Sequence, residues 1–383
     1  MSAEAVYLDH NATTLLDAKV LEAMLPFLRN QQGNPTSRHS YGRAARQAID
    51  HAREQVAAAV GAHPSQVTFT SGGTEANNLA IKGIAATHTP SQVAVSAIEH
   101  PAVSRPAHSL LGRGWKMAKI GVDAVGQLNP DQLVQALQQK TALVSVMAAN
   151  NETGVLQDVP AIAEVVRRHG SLLHTDAVQA LGKVALDFNA LGVNAMSISA
   201  HKIHGPQGAG ALILDKRVDI QPLLDGGGQE KGLRSGTENI SAIVGFGLAC
   251  ELATRDLTSQ AGRIGRLRDQ LEQGLNELGG IIFGREAKRL PNTSFFAFPN
   301  IDGETLVMAL DRQGYAVASG SACSSDSIEP SHVLMAMGIA PGIARGAVRV
   351  SLGVDNSAAQ IVAFLQTLKN ELLRIKRMAA VAV

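Results

Sequence analysis

The chain has 383 residues, 45% hydrophobic and 17% charged, with a formal net charge of +1. That balance describes a folded, core-rich protein long enough for one large α/β domain and a smaller one. It offers no reason to expect nucleic acid or an anionic membrane as partner, and aromatics at 3% supply no base-stacking surface.

Met1 to Val6 lack the basic start and apolar run of a signal peptide, and the most apolar windows, such as 242–253, fall short of a membrane span. A soluble, cytoplasmic protein is expected. Val6-Tyr7-Leu8 is a short apolar segment ending in Asp9-His10-Asn11-Ala12-Thr13-Thr14, which is rich in turn and cap residues. Residues 17–28 read as a helix stopped around Pro26 to Asn30, 33–37 as a loop, and 42–60 as a long amphipathic helix.

From Val67 the pattern alternates. Apolar runs at 67–70, 92–97, 115–120, 143–148, 171–175, 195–198 and 210–214 predict strands, and 75–86, 102–111, 130–137 and 161–168 predict helices. Continuous apolar strands separated by helices imply a mainly parallel sheet covered on both faces. In such sheets ligands bind just past the carboxyl ends of the strands. A loop at 225–237 leads into helices at 240–253 and 264–278. Segments at 295–298, 304–313, 317 and 358–376 then form a βα-type C-terminal unit.

The strand ends are polar. Thr70-Ser71-Gly72-Gly73-Thr74-Glu75 opens a helix and reads either as a phosphate cup of backbone N–H groups or as an ordinary start capped by Thr74. Glu99-His100, Asn150-Asn151 and Asp176-Ala177-Val178-Gln179 follow three further strands. His100 reads as a structural histidine or as a ring-stacking group, and Asp176 as a turn residue or as the partner of a protonated heterocyclic nitrogen. Lys202, in Ser199-Ala200-His201-Lys202, sits in a tight connection between two buried strands, where desolvation suits an amine that forms a Schiff base. Anion cup, pyridinium partner and Schiff-base lysine together are the parts of a pyridoxal phosphate site.

Cys250 lies in an apolar helix and reads as buried and inert, whereas Cys323 lies in the small, polar run 318–327, where an exposed mobile loop and a nucleophilic thiol are expected. The two cysteines make neither a disulfide framework nor a zinc pattern. Arg349, a lone cation in an apolar alternation, reads as an edge-strand charge or as a clamp for a carboxylate.

These residues resemble the cysteine desulfurases, pyridoxal phosphate enzymes of aminotransferase class V, almost from end to end. The resemblance is carried by Tyr7 to Thr14, Gly33-Asn34-Pro35, Thr70 to Asn78, Glu99-His100, Asn150 to Gly154, Asp176 to Gln179, Ser199 to Lys202, Arg234 to Thr237, Ser319 to Cys323 and Arg349. It implies the α/β transferase fold type I, with a large domain, a mainly parallel sheet sandwiched by helices, over 13–257. A smaller α+β domain would comprise 1–12 and 258–383 and carry the catalytic cysteine loop, about 319–332, in the longer form of one group of the family.

The resemblance also implies pyridoxal 5'-phosphate bound to Lys202 as a Schiff base, with Asp176 on the ring nitrogen, Gln179 on the ring hydroxyl and His100 stacked on the ring. Gly73, Thr74, Ser199 and His201 would grip the phosphate, with Thr237 reaching across a homodimer. Asn151 and Arg349 would hold the carboxylate of L-cysteine. Lys202 and His100 would move protons, and Cys323 would take the sulfur as a persulfide, releasing alanine. An iron–sulfur scaffold or a thiolation carrier would receive it. Two departures stand out: Gln207 occupies a position where lysine is frequent, and the last residues, Arg377 to Val383, lack the tail with which housekeeping members dock a scaffold. The neighbouring readings are a selenocysteine lyase or another class V enzyme, and, more remotely, a non-catalytic sulfur-relay protein.

Overall fold

The computed structural model describes residues 5–320 and 329–381. Its strands, in chain order, are β1 (Val6–Tyr7), β2 (Val67–Thr70), β3 (Gln92–Ser96), β4 (Lys116–Ile120), β5 (Thr141–Ser145), β6 (Leu172–Asp176), β7 (Ala195–Ser199), β8 (Gly210–Leu214), β9 (Ile281–Ile282), β10 (Thr293–Ala297), β11 (Tyr315–Ala316), β12 (Ala318–Ser319) and β13 (Val348–Ser351). β2 to β8 form a seven-stranded sheet in the order β2-β8-β7-β6-β5-β3-β4, in which only β8 runs against its neighbours.

Both faces of this sheet are covered, as continuous apolar strands require. Side chains alternate between two cores. Val93 and Val95 join one with Leu143 and Leu212, and Ala94 joins the other with Val144 and Ile213. The first core packs under the helix that starts at Gly73 and the helix Pro101–Ser109. The second is closed by the helices Ser40–Ala59, Val159–Arg168 and Ile240–Arg255. Two of these approach closely: a Cβ on Gly247 would stand 2.7 Å from Ala52 Cα, so glycine is required there. Cys250 is fully buried on the same helix, and burial pushes its thiol pKa up, as expected of an inert cysteine.

A separate core gathers Leu8 with residues from Ile264 to Leu372 around a four-stranded antiparallel sheet, β12-β13-β10-β9. β1 pairs in parallel with β11, and Asp9 bridges to Ser351, so the chain from Val6 to Asp9 runs along this sheet before crossing to the larger one. Two expectations are corrected in detail. The helix expected to begin at 264 begins at Leu257, and the helix opening at Gly73 contains a π turn over Leu79–Gly83.

Candidate functional site

A cavity of about 380 Å³ opens past the carboxyl ends of β6 and β7, where the strand-end rule places a ligand. Its walls bring together Gly73, Thr74, His100, Asn151, Asp176, Gln179, Ser199, His201, Lys202 and Arg349, residues scattered over 277 positions of sequence (349 − 73 + 1). Ser319 and Gly320 also line it; Cys323 itself lies outside the described residues. Thr237 is exposed and is not among the residues that line the cavity of its own chain.

One end of the cavity is built for an anion. The helix after β2 starts at Gly73 with Gly72 as N-cap, and no side chain caps it, which removes the alternative reading of an ordinary start capped by Thr74. Thr70 Oγ1 turns back to Gly72 O (3.0 Å), and Glu75 Oε2 accepts from Ser71 N (2.8 Å). The N–H groups of the first turn are therefore left for a ligand. A Cβ on Gly73 would meet Val178 Cγ2 at 2.7 Å, so only glycine lets the helix start this close to the β6 loop. Thr74, Ser199 and His201 line both the cavity and an adjoining hollow of about 360 Å³ at this helix start. His201 is neutral here: burial, with Lys202 and Lys183 nearby, holds its pKa at about 4. Arg234 Nε donates to Glu75 Oε1 (2.9 Å), tying the Arg234-Ser235-Gly236-Thr237 stretch to this cup.

The opposite wall carries the acid. Asp176, the last residue of β6, is buried, and its two oxygens accept from Asn77 Nδ2 (2.7 Å) and Val178 N (3.0 Å), which fix the carboxylate in place. The sequence by itself assigns Asn77 no role. Its position on the helix from Gly73 supplies one, since one face of that helix looks down on β6. His100 caps the helix Pro101–Ser109, its Nδ1 accepting from Ala102 N (3.1 Å), so a neutral ring carries its proton on Nε2. Burial lowers the His100 pKa, against the opposing pull of Asp176, and Lys202 and His332 reinforce the lowering. Beneath it, Glu99 is fully buried with Oε1 accepting from Ser96 Oγ and Met147 N, and burial raises its pKa to about 8. It is a neutral acid at physiological pH.

Lys202 follows β7 in a single 3₁₀ turn, and its Nζ donates to Asn11 O (2.5 Å) and Ala12 O (2.6 Å). The segment after β1 thus receives the lysine on backbone carbonyls, a role for Asp9 to Thr14 that the sequence did not reveal. Arg349 lies on β13, which is flanked by β12 and β10, so the reading as an edge-strand charge is corrected. Its Nη2 pairs with Asp9 Oδ1 (2.6 Å), its Nη1 donates to Asn151 O (2.9 Å), and its buried Nε has no hydrogen-bond partner among the described residues. A buried guanidinium with an unused donor beside a cavity suits a carboxylate.

The residues present fit the expected cofactor. An uncapped helix start with hydroxyls, a fixed buried carboxylate and a lysine at the end of a strand surround one cavity, and Asn77 Oδ1 and Arg349 Nε on its walls are buried without partners among the described residues.

Residues 6–364 match the model of the aminotransferase class-V family. The chain is similar to the cysteine desulfurase IscS of Dictyoglomus turgidum, with 43% identity over 355 residues, 91% of this chain and 90% of that protein. Among solved structures it is similar to a NifS-like protein, with a TM-score of 0.91 and 40% identity, covering 96% of this chain and 99% of that one. A structure of SspA in complex with cysteine is also similar, with a TM-score of 0.82 and 32% identity over 90% of this chain and 98% of that one.

Proposed function

The chain belongs to the cysteine desulfurases of the class V aminotransferase family, and on that premise we propose that it takes sulfur from L-cysteine, giving L-alanine and a persulfide on Cys323. The observation that carries this reading is the convergence of Asp176, Lys202 and the uncapped helix at Gly73 on one cavity, with Arg349 on its far wall.

Lys202 would hold pyridoxal phosphate covalently, the first turn at Gly73 and Thr74 with Ser199 and His201 would take its phosphate, Asp176 its ring nitrogen and Gln179 its ring oxygen. When bound, the group supplies an electron sink for charge that develops on the substrate carbons. Arg349 and Asn151 orient the substrate carboxylate. Lys202 moves the α-proton, and His100, neutral and with its Nδ1 occupied by Ala102 N–H, presents its Nε2–H edge to the cavity. The Cys323 thiolate then bonds to the substrate sulfur as the carbon–sulfur bond breaks. The electron pair goes to the β-carbon, and a proton added there, with a proton returned to the α-carbon by Lys202, completes alanine.

The same reading assigns 13–257 to a cofactor-binding domain and 1–12 with 258–383 to a second. The separate core that joins Leu8 to residues beyond Ile264 supports that division. It also makes the protein a homodimer with Thr237 serving the partner's site, a reading supported by the exposure of Thr237. An iron–sulfur scaffold or a thiolation carrier receives the sulfur; the name of the Dictyoglomus relative favours the scaffold. No described helix is long and apolar enough to cross a membrane.

The test compares wild type, Lys202→Ala and Cys323→Ser after addition of L-cysteine, with alanine and sulfide assayed separately. A yellow wild type that yields both products is expected, with a Cys323→Ser variant that binds cofactor and substrate but yields neither. Alanine formed by Cys323→Ser at the wild-type rate would remove the thiol from the reaction and favour a lyase.

A further inference from the structure

Lys183 lies four residues beyond Gln179 and has no part in the reading above. Its Nζ donates to Gln179 Oε1 (2.7 Å) and to Asn11 Oδ1 (3.0 Å). The orientation of every amide around it follows from backbone carbonyls, which only accept. Asn11 Nδ2 donates to Asn151 O (3.2 Å) and Thr293 Oγ1 (2.8 Å), so Asn11 Oδ1 faces the other way, toward Lys183 and Asn292 Nδ2. Asn292 Nδ2 donates in turn to Leu352 O (3.1 Å). Gln179 Nε2 donates to Asn11 O (2.9 Å), which leaves Oε1 for Lys183 and a second Nε2 hydrogen for the cavity that Gln179 lines.

Lys183 occupies unfavourable surroundings. Both of its acceptors are neutral amide oxygens, and the titratable groups that interact with it are Lys202, Arg349, His10 and His201. Burial, with Lys202 and Arg349 nearby, holds its ammonium well below the usual lysine range. A methylene side chain would fill the space without that cost. What the amine adds is direction, because its N–H groups point at both amide oxygens.

We propose that Lys183 is a positioning residue that locks the Gln179 amide with its Nε2 toward the cofactor ring oxygen. The inference rests on the reading of the cavity as a pyridoxal phosphate site. Without Lys183, the Gln179 amide loses one of the two contacts that distinguish its ends and keeps only the Asn11 carbonyl. A flipped amide would aim Oε1 at the ring oxygen, acceptor against acceptor, in a buried site where that mismatch is costly. Through Asn11 Oδ1 the same amine also steadies the segment whose carbonyl receives Lys202.

The test is a double-mutant cycle on the affinity of apoprotein for pyridoxal phosphate, read by absorbance titration, with wild type, Lys183→Met, Gln179→Ala and the double variant. Lys183→Met is expected to weaken binding about tenfold when Gln179 is present and by less than about twofold in the Gln179→Ala background. Equal losses in both backgrounds would overturn the inference, since Lys183 would then act by its charge or packing alone. Failure of the wild type to bind pyridoxal phosphate would sink the cofactor reading and this inference with it. Melting of each apoprotein checks the fold, and Lys183→Gln replaces Lys183→Met in the cycle if the latter does not fold.

Discussion

The seven-stranded and four-stranded sheets hold the same cavity in opposite ways. The larger sheet contributes from its edge: Asp176 and Ser199 end their strands, and Thr74, His100, Asn151 and Lys202 come from the connections just beyond. The smaller sheet contributes Arg349 from the middle of a central antiparallel strand. A parallel sheet aligns its carboxyl ends, so polar residues gather there without interrupting the core. An antiparallel strand must instead carry its charge through the layer, and Arg349 does so only with Asp9 and the Asn151 carbonyl as partners. Residues at the larger sheet's margin can therefore be changed at little cost to the fold, whereas Arg349 bears on binding and stability together.

Arg349→Ala breaks this comparison most severely. It strands the half-buried Asp9 carboxylate and removes the carboxylate clamp. A loss of about 3 kcal/mol in denaturant unfolding is expected, together with a raised KM for cysteine. An unchanged melting midpoint would mean that the smaller sheet does not depend on the pair.

A second contrast lies inside the larger sheet. His174 is fully buried between Ser145 Oγ (2.8 Å) and Ser197 Oγ (2.9 Å), spanning β5, β6 and β7, and burial lowers its pKa to about 3. The folded protein then holds this ring neutral while the unfolded chain protonates it near 6.5, so stability is lost as pH falls from 6.5 toward 3. The slope from this residue alone is about 1.4 kcal/mol per pH unit. Subtracting the pH–stability curve of His174→Gln from that of the wild type isolates it, and parallel curves would refute the assignment.

The smallest stability effect belongs to Thr74→Ala. Thr74 is exposed and caps nothing, so unfolding should change by less than about 0.5 kcal/mol. Affinity for pyridoxal phosphate should still fall about tenfold with the lost hydroxyl. A matching loss of stability would show that Thr74 supports the fold after all.

Much of the fold was legible because its signals are local. The strands Val67–Thr70 and Gly210–Leu214 and the helix Pro130–Leu137 stand where apolar runs, glycines and Pro130 put them. The start of the helix Leu257–Glu277 was missed because its first turns are largely exposed and polar, with no buried residue before Ile264. The π turn at Leu79–Gly83 was hidden for a related reason. Gly83 packs where a Cβ would stand 2.8 Å from Gln221 O, a contact made across the chain.

The candidate site divides along the same line. Lys202, Asp176, His100 and Gly73 could be named from the sequence because each stands at or a few residues beyond the end of a strand, and the strand-end position is a local property. Asn77 and Asn11 could not, because their roles arise from partners 99 and 191 residues away. Arg349 was ambiguous for that reason too: an apolar alternation with one cation reads alike at an edge and at the centre of a sheet. Periodicity and punctuation thus determined which segments are strands and which polar residues leave them. Tertiary packing alone decided which donor faces which acceptor, because hydrogen-bond direction depends on where distant carbonyls come to rest.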